Sequence, residues 1–254
     1  MQKILNSREQ QLRDYFGIAK TVNLLSPNAI IPEETDKITE HLRRFNIEWH
    51  VIPSEEAVPF DADYIARMYP MCGKDFTRAT SHQSSCQQAL NIGHHRHQGL
   101  ILGVESTQKP NYLPHGRHFY GSEYGHDWTL DPIAGFIGEA GFTNGTRFAH
   151  DYASLRSLMR LINEDWRSHA LMPMGYRVTI CPPAVFNLIG NVFHREWSHT
   201  QSLELGAYRD EFGNANAFAV GCNAANDFSY VHHVETNSDW TYLGFRLVLV
   251  PDWL

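Results

Sequence analysis

Leu243-Gly244-Phe245-Arg246-Leu247-Val248-Leu249-Val250 is the stretch whose reading decides the fold. Phe245, Leu247 and Leu249 alternate with Arg246, Val248 and Val250, and a side-chain period of two belongs to a β-strand. One face is wholly apolar and the other departs from that only at Arg246, which predicts a strand inside a sheet, covered on both faces. An interior strand needs neighbours. Trp49-His50-Val51-Ile52 (ended by Pro53), Leu100 to Val104, Tyr176 to Ile180, Phe218-Ala219-Val220 and Tyr230 to Val234 are the short apolar runs able to supply them.

Helical patterns lie between these runs. Ser7 with Gln10 fits a capping box, followed by the stripe Leu12, Tyr15, Phe16. Thr35 opens a second helix with Ile38, Leu42 and Phe45 at i, i+4 and i+7, and Asn46 as its stop. Asp61 to Tyr69 reads as a third, closed by Pro70, and Leu155, Leu158, Met159, Ile162 and Trp166 share one face of a fourth. The predicted class is α+β, with a small, twisted, mainly antiparallel sheet preceded by a mainly helical N-terminal region. The turn-rich segment Ser106 to Gly116, with two prolines, is the expected boundary between residues 1–112 and 113–254.

The 254 residues are 43% hydrophobic and 19% charged, a balance that describes a soluble globular chain. No run of about 18 apolar residues is present, so no membrane insertion is expected. The first thirty residues lack the apolar core of a secretory signal. A net charge of −7 argues against nucleic acid as a partner. Cys72, Cys86, Cys181 and Cys222 have no CxxC spacing, so reduced thiols are expected. Fifteen histidines are the compositional oddity.

Pro182-Pro183-Ala184-Val185-Phe186-Asn187-Leu188-Ile189-Gly190-Asn191-Val192, followed by Glu196-Trp197, resembles the "PP-N-x-x-G-L-Y-D-M-x-G-N-V-W-E-W" run of formylglycine-generating-enzyme (sulfatase-modifying-factor) domains. Leu243 to Leu249 is similar to the "I-G-F-R-L-V" strand that closes those domains. Val220-Gly221-Cys222-Asn223 sits where the family has "R-G-G-S-W-N", and His126 to Leu130 with Thr143-Asn144 resembles its opening "H-x-V-x-L … V-T-N". The resemblance covers at most residues 115–254. Phe193-His194-Arg195 interrupts the "NVWEW" run, no "R-L-P-T-E-A-E-W" element is present, and the copper-binding cysteine pair is missing because Cys222 stands alone. The resemblance implies a C-type-lectin-like fold in which the two fragments share a sheet, without formylglycine synthesis. Non-catalytic domains of that fold include phage and bacterial receptor-binding proteins, which implies a virion-associated protein as the alternative to the cytoplasmic one expected from the reduced thiols.

Two constellations carry chemistry. Asn226, Tyr230, His232, His233, Asn237, Asp239, Trp240 and Tyr242 crowd polar and aromatic groups together, as a paratope does. The leading expectation is therefore a non-catalytic ligand- or receptor-binding protein with a protein or glycan partner and no cofactor. In the alternative, His194 and Glu196 share a strand face and His232 or His233 completes a mononuclear site for iron or another divalent metal. Arg246 would then pair with a co-substrate carboxylate, as in an iron(II)/2-oxoglutarate oxygenase. Against this, the 38 residues from His194 to His232 barely hold the four strands such a barrel needs. A third expectation is a scaffold or inhibitor acting through its N-terminal helices. His94-His95-Arg96-His97 reads as a solvated polar loop. No nucleophile elbow, P-loop or dinucleotide fingerprint is present.

Overall fold

The computed structural model describes residues 2–69, 95–107, 131–142, 147–148, 150–199, 203–209, 215–220, 231–237 and 243–254; the side chains of 198, 199, 203, 207–209, 215, 216, 232 and 233 lie outside that description. β8 (Leu247–Pro251) is an interior strand, as its composition predicts. It pairs on one edge with β2 (Ile101–Glu105) and on the other with β3 (Tyr176–Ile180), and β1 (Ile47–Val51) lies beyond β2. All three pairings are antiparallel. Every residue of β8 is buried, which is why no polar alternation survives in it.

The second sheet has the order β6 (Val231–Val234), β5 (Ala215–Val220), β4 (Leu203–Arg209), β7 (Leu243–Gly244). Its pairings are antiparallel except β4 with β7, which run parallel. The 243–250 run is thus two short strands in two different sheets, not one continuous strand. Phe245 and Arg246 make the crossing, and both are fully buried. The protein is an α+β structure with two mainly antiparallel sheets.

α1 (Gln2–Phe16) buries Leu5 and Leu12 and packs against β1. It begins ahead of Ser7, so the capping-box reading of Ser7 does not hold: the residue lies mid-helix. α2 (Asp36–Arg44) is capped as its sequence predicts, with Thr35 accepting from the Ile38 amide, and Asn46 follows it at φ +49. α3 (Ala62–Met68) is capped by Asp61. α4 (Ala134–Glu139) is a short helix that packs on α5 (Tyr152–Ser168). α5 buries the whole expected stripe from Leu155 to Trp166 and lies along β3.

α6 (Pro183–Val192) corrects the sheet assignment of the Pro182–Val192 fragment, which is helical. Pro183 suits the first turn, where its missing N–H has no intrahelical partner to lose. The helix is apolar on every side because it is buried on every side, which erases the helical period from its sequence. Phe186, Leu188, Phe245, Leu247 and Leu249 do share one core, and Val192 packs at its margin. That core also takes Leu5, Ile38 and Trp49, and the first sheet draws two strands from each side of residue 112. The expected boundary at 112/113 therefore does not separate two cores, and the N-terminal region contributes strands as well as helices.

Buried ion pairs join the sheets. Arg246 donates to both carboxylate oxygens of Glu204 on β4 (3.0 and 2.7 Å) and to the main-chain carbonyls of Glu105 and Thr107. Arg147 donates to Glu105 at 2.6 Å and grips Asp131 through two bonds of 2.6 and 2.8 Å. Glu105 closes the network by accepting from the Leu247 amide at 3.0 Å. Burial pushes the Asp131 carboxyl above its usual range even though Arg147 opposes it. Each charge has left water, a cost that such partners offset.

Candidate metal centre

β1 places Glu48 and His50 two residues apart, so both side chains leave the same face of the strand. α1 packs against β1, and Phe193, which follows α6, packs on His50. The chain after α6 then turns sharply. The His194 amide is shared between the carbonyls of Ile189 and Gly190, and the His194 carbonyl accepts from Trp197 in the 3₁₀ turn Arg195–His199. The His194 ring lies flat on Trp197, with centroids 4.7 Å apart and planes 7° apart. Trp197 in turn carries the Arg246 guanidinium 3.7 Å above its ring. His194 is thereby fixed by a stack that reaches into the buried ion network.

The result is a cluster of two imidazoles and one carboxylate whose ligand atoms all lie within 4.8 Å of one another. His194 Nε2 is 3.5 Å from Glu48 Oε2, and His50 Nε2 is 3.8 Å from the same oxygen. The 3.5 Å contact is an ion-pair approach and too long for a good hydrogen bond. The His50 and His194 rings meet edge to face at 5.9 Å, and Phe193 packs on His50 at 4.8 Å. Arg8 on α1 sits over the Phe193 ring and donates to Glu48 Oε2.

His50 is completely buried, and neither of its ring nitrogens has a hydrogen-bond partner among the described residues. His194 Nε2 is likewise buried without one. Leaving a buried polar group unpaired costs about 1–3 kcal/mol, so such groups call for an explanation. Burial, with help from Arg8 and His194, holds His50 well below the usual imidazole range and so keeps it neutral, the form that ligates metal. The Glu48 carboxyl is lowered to about 2, first by the facing His194 imidazole and then, against the opposing effect of burial, by Arg8.

Of the residues expected from sequence, His194 belongs to this cluster. Glu196 does not supply a ligand atom to it: its Oε1 lies 3.0 Å from His194 Nδ1, on the opposite side of the ring from Glu48. Glu196 lies in the 3₁₀ turn and His194 just ahead of it, so the two do not share a strand. His232 and His233 lie on β6 in the other sheet, opposite Ala219 and Phe218, with side chains outside the described residues. Arg246 is not available to a co-substrate carboxylate, being fully buried against Glu204. Glu48 and His50 were missed, although Glu48-Trp49-His50 at the start of an expected strand carried the signal.

The paratope-like set falls mostly outside the described residues: Asn226, Tyr230, Asp239, Trp240 and Tyr242 all do, as does Cys222. Within the set Asn237 is exposed, beside exposed Glu235 and Thr236, and the neighbouring Val234 is buried. Cys181 is a buried free thiol. His97 is buried in a helical turn at 95–97, so that end of the histidine run is not the solvated loop expected, while His95 is exposed. Among the described residues no helix is long and apolar enough to cross a membrane. Comparison with protein families, curated proteins and solved structures finds no match.

Proposed function

We propose that Glu48, His50 and His194 hold one divalent metal ion and that the protein is a mononuclear metal-dependent enzyme. The observation that carries this reading is His50: fully buried, without a hydrogen-bond partner among the described residues, and grouped with a second imidazole and a carboxylate. Two imidazoles and one carboxylate form the donor set of non-haem iron(II) oxygenases and of catalytic zinc sites, in which three protein ligands leave positions for water or substrate. Glu48 is 37% exposed and His194 12%, so the cluster is buried on the His50 side and open to solvent on the other. Glu196 supports the reading from behind, because a metal-bound histidine ordinarily gives its second ring nitrogen to a carboxylate. Arg8 opposes it: a guanidinium on Glu48 lowers the cation affinity of the carboxylate.

Isothermal titration of tag-free, chelator-treated protein with zinc and, anaerobically, with iron(II) tests the proposal. One ion per chain is expected, with binding abolished in His194→Ala and in Glu48→Gln and strengthened in Arg8→Gln. Absence of saturable binding by both ions, or binding that survives both ligand substitutions, would overturn it. Zinc outbinds iron(II) at most such donor sets, so the class is fixed by the ion that supports turnover and not by the tighter one: redox chemistry for iron, water activation for zinc.

A further inference from the structure

A second site lies on a different face, in the cleft between α5 and β3, the edge strand of the first sheet. Its volume is about 470 Å³, within the range of small-molecule sites. Four guanidiniums line it: Arg96 from the helical turn at 95–97, Arg156 and Arg160 from α5, and Arg177 from β3. The placement follows from the two elements. The flank of α5 beside its buried stripe carries Arg156 and Arg160 one turn apart. On β3, Tyr176, Val178 and Ile180 are buried in the core while Arg177 and Thr179 point the other way.

We propose that this cleft binds a small phosphorylated molecule. No Asp or Glu side chain lines it among the described residues. Among the described residues Arg96 and Arg156 make no ion pair, and Arg160 has a solvent-exposed approach of 3.6 Å to Glu164. On a chain of net charge −7, a concavity lined by four arginines and, among the described residues, by no acidic side chain forms a local field of the opposite sign to the whole. Guanidinium forks match phosphate oxygens in pairs, and the Tyr152 and Thr179 hydroxyls on the same walls add neutral donors. Met159, Ile180 and Val250 give the cleft an apolar portion, which suits the organic part of a phosphate ester. Asn163 makes the floor rigid: its side-chain amide bonds the Val178 N–H and C=O, both at 2.8 Å, and so takes the place of a neighbouring strand.

Isothermal titration of the whole chain with inorganic pyrophosphate, ADP and citrate tests this without reference to the metal centre. Pyrophosphate and ADP are expected to bind saturably, more tightly than citrate and more weakly as salt rises. Tighter binding of ADP than of pyrophosphate would assign the apolar wall to an organic group; equal binding would assign the site to the phosphate chain alone. Arg156→Ala and Arg96→Ala should each weaken binding about tenfold, the loss of one charge-assisted contact. Arg43→Ala, an exposed arginine on α2, should leave it unchanged. No saturable binding of either phosphate compound, citrate binding as tightly as both, or an equal loss in Arg43→Ala would overturn the proposal.

Discussion

Glu196 Oε1 lies 3.0 Å from Nδ1 of His194, so the ring proton on that side is engaged and Nε2 faces Glu48. In the proposed centre the two carboxylates around one imidazole thus have different parts: Glu48 would ligate the ion and Glu196 would fix the tautomer and orientation. Glu48→Gln should abolish metal binding. Glu196→Gln should weaken it about 10- to 100-fold while leaving one ion per chain, the usual cost of losing a partner behind a ligand. Titration calorimetry on the two variants checks the difference, and equal effects would remove the distinction.

Arg246 and Glu204 are both essentially inaccessible, with their charged atoms 2.7 Å apart. Arg246→Met should destabilise the fold by about 3–5 kcal/mol, because it leaves Glu204 buried and unpaired. Replacing both partners, Arg246→Met with Glu204→Gln, should recover much of that loss. Urea unfolding of the single and double variants measures it; a double variant as unstable as the single would show that the Trp197 stack matters more than the ion pair.

Acid should weaken the fold before carboxylates titrate. His41 is buried between Phe45 and Trp166, and burial, then Arg44, lowers it from 6.5 to about 4, with Asp165 opposing and Lys37 assisting. Because the folded state takes up its proton later than the unfolded chain, the stability is whole above pH 6.5 and falls as pH drops towards 4. His50 is shifted in the same direction. Each histidine contributes a slope of up to about 1.4 kcal/mol per pH unit in that window. Glu48, lowered to about 2, adds a loss only below its ordinary value of 4.5. Denaturant unfolding at pH 7, 5.5 and 4.5 should show the decline, and His41→Phe should flatten it; a flat profile in the parent protein would contradict the assignment.

Leu247 is fully buried at the centre of the first sheet, in the same core as α6 and α1. Leu247→Ala should cost about 2–5 kcal/mol in urea unfolding, in a single transition. Two separated transitions would indicate two independent cores.

Much of the fold was legible where one side of an element meets water. α2, α3 and α5 kept their caps and stripes in the sequence, and β3 kept its alternation, because each has a solvent face to set the period. α6 was not legible, since a helix buried all round has no polar face to mark its turns. Arg246 read as an odd charge in a strand; its meaning depends on Glu204, 42 residues away, and on a change of sheet between β7 and β8. The site divided the same way. Glu48 and His50 are neighbours on one strand and were readable from spacing alone. Their meeting with His194 depends on where the turn after α6 sets Phe193 and His194 against His50, which no local pattern records.

Anomalous diffraction at the absorption edge of the bound ion, on crystals grown with zinc or with iron(II), tests the proposed metal centre most directly. The expected result is a single peak bonded to His50, His194 and Glu48 at about 2.0–2.2 Å, with Glu196 still behind His194. A peak elsewhere, or none at this cluster with Arg8 still seated on Glu48, would contradict it.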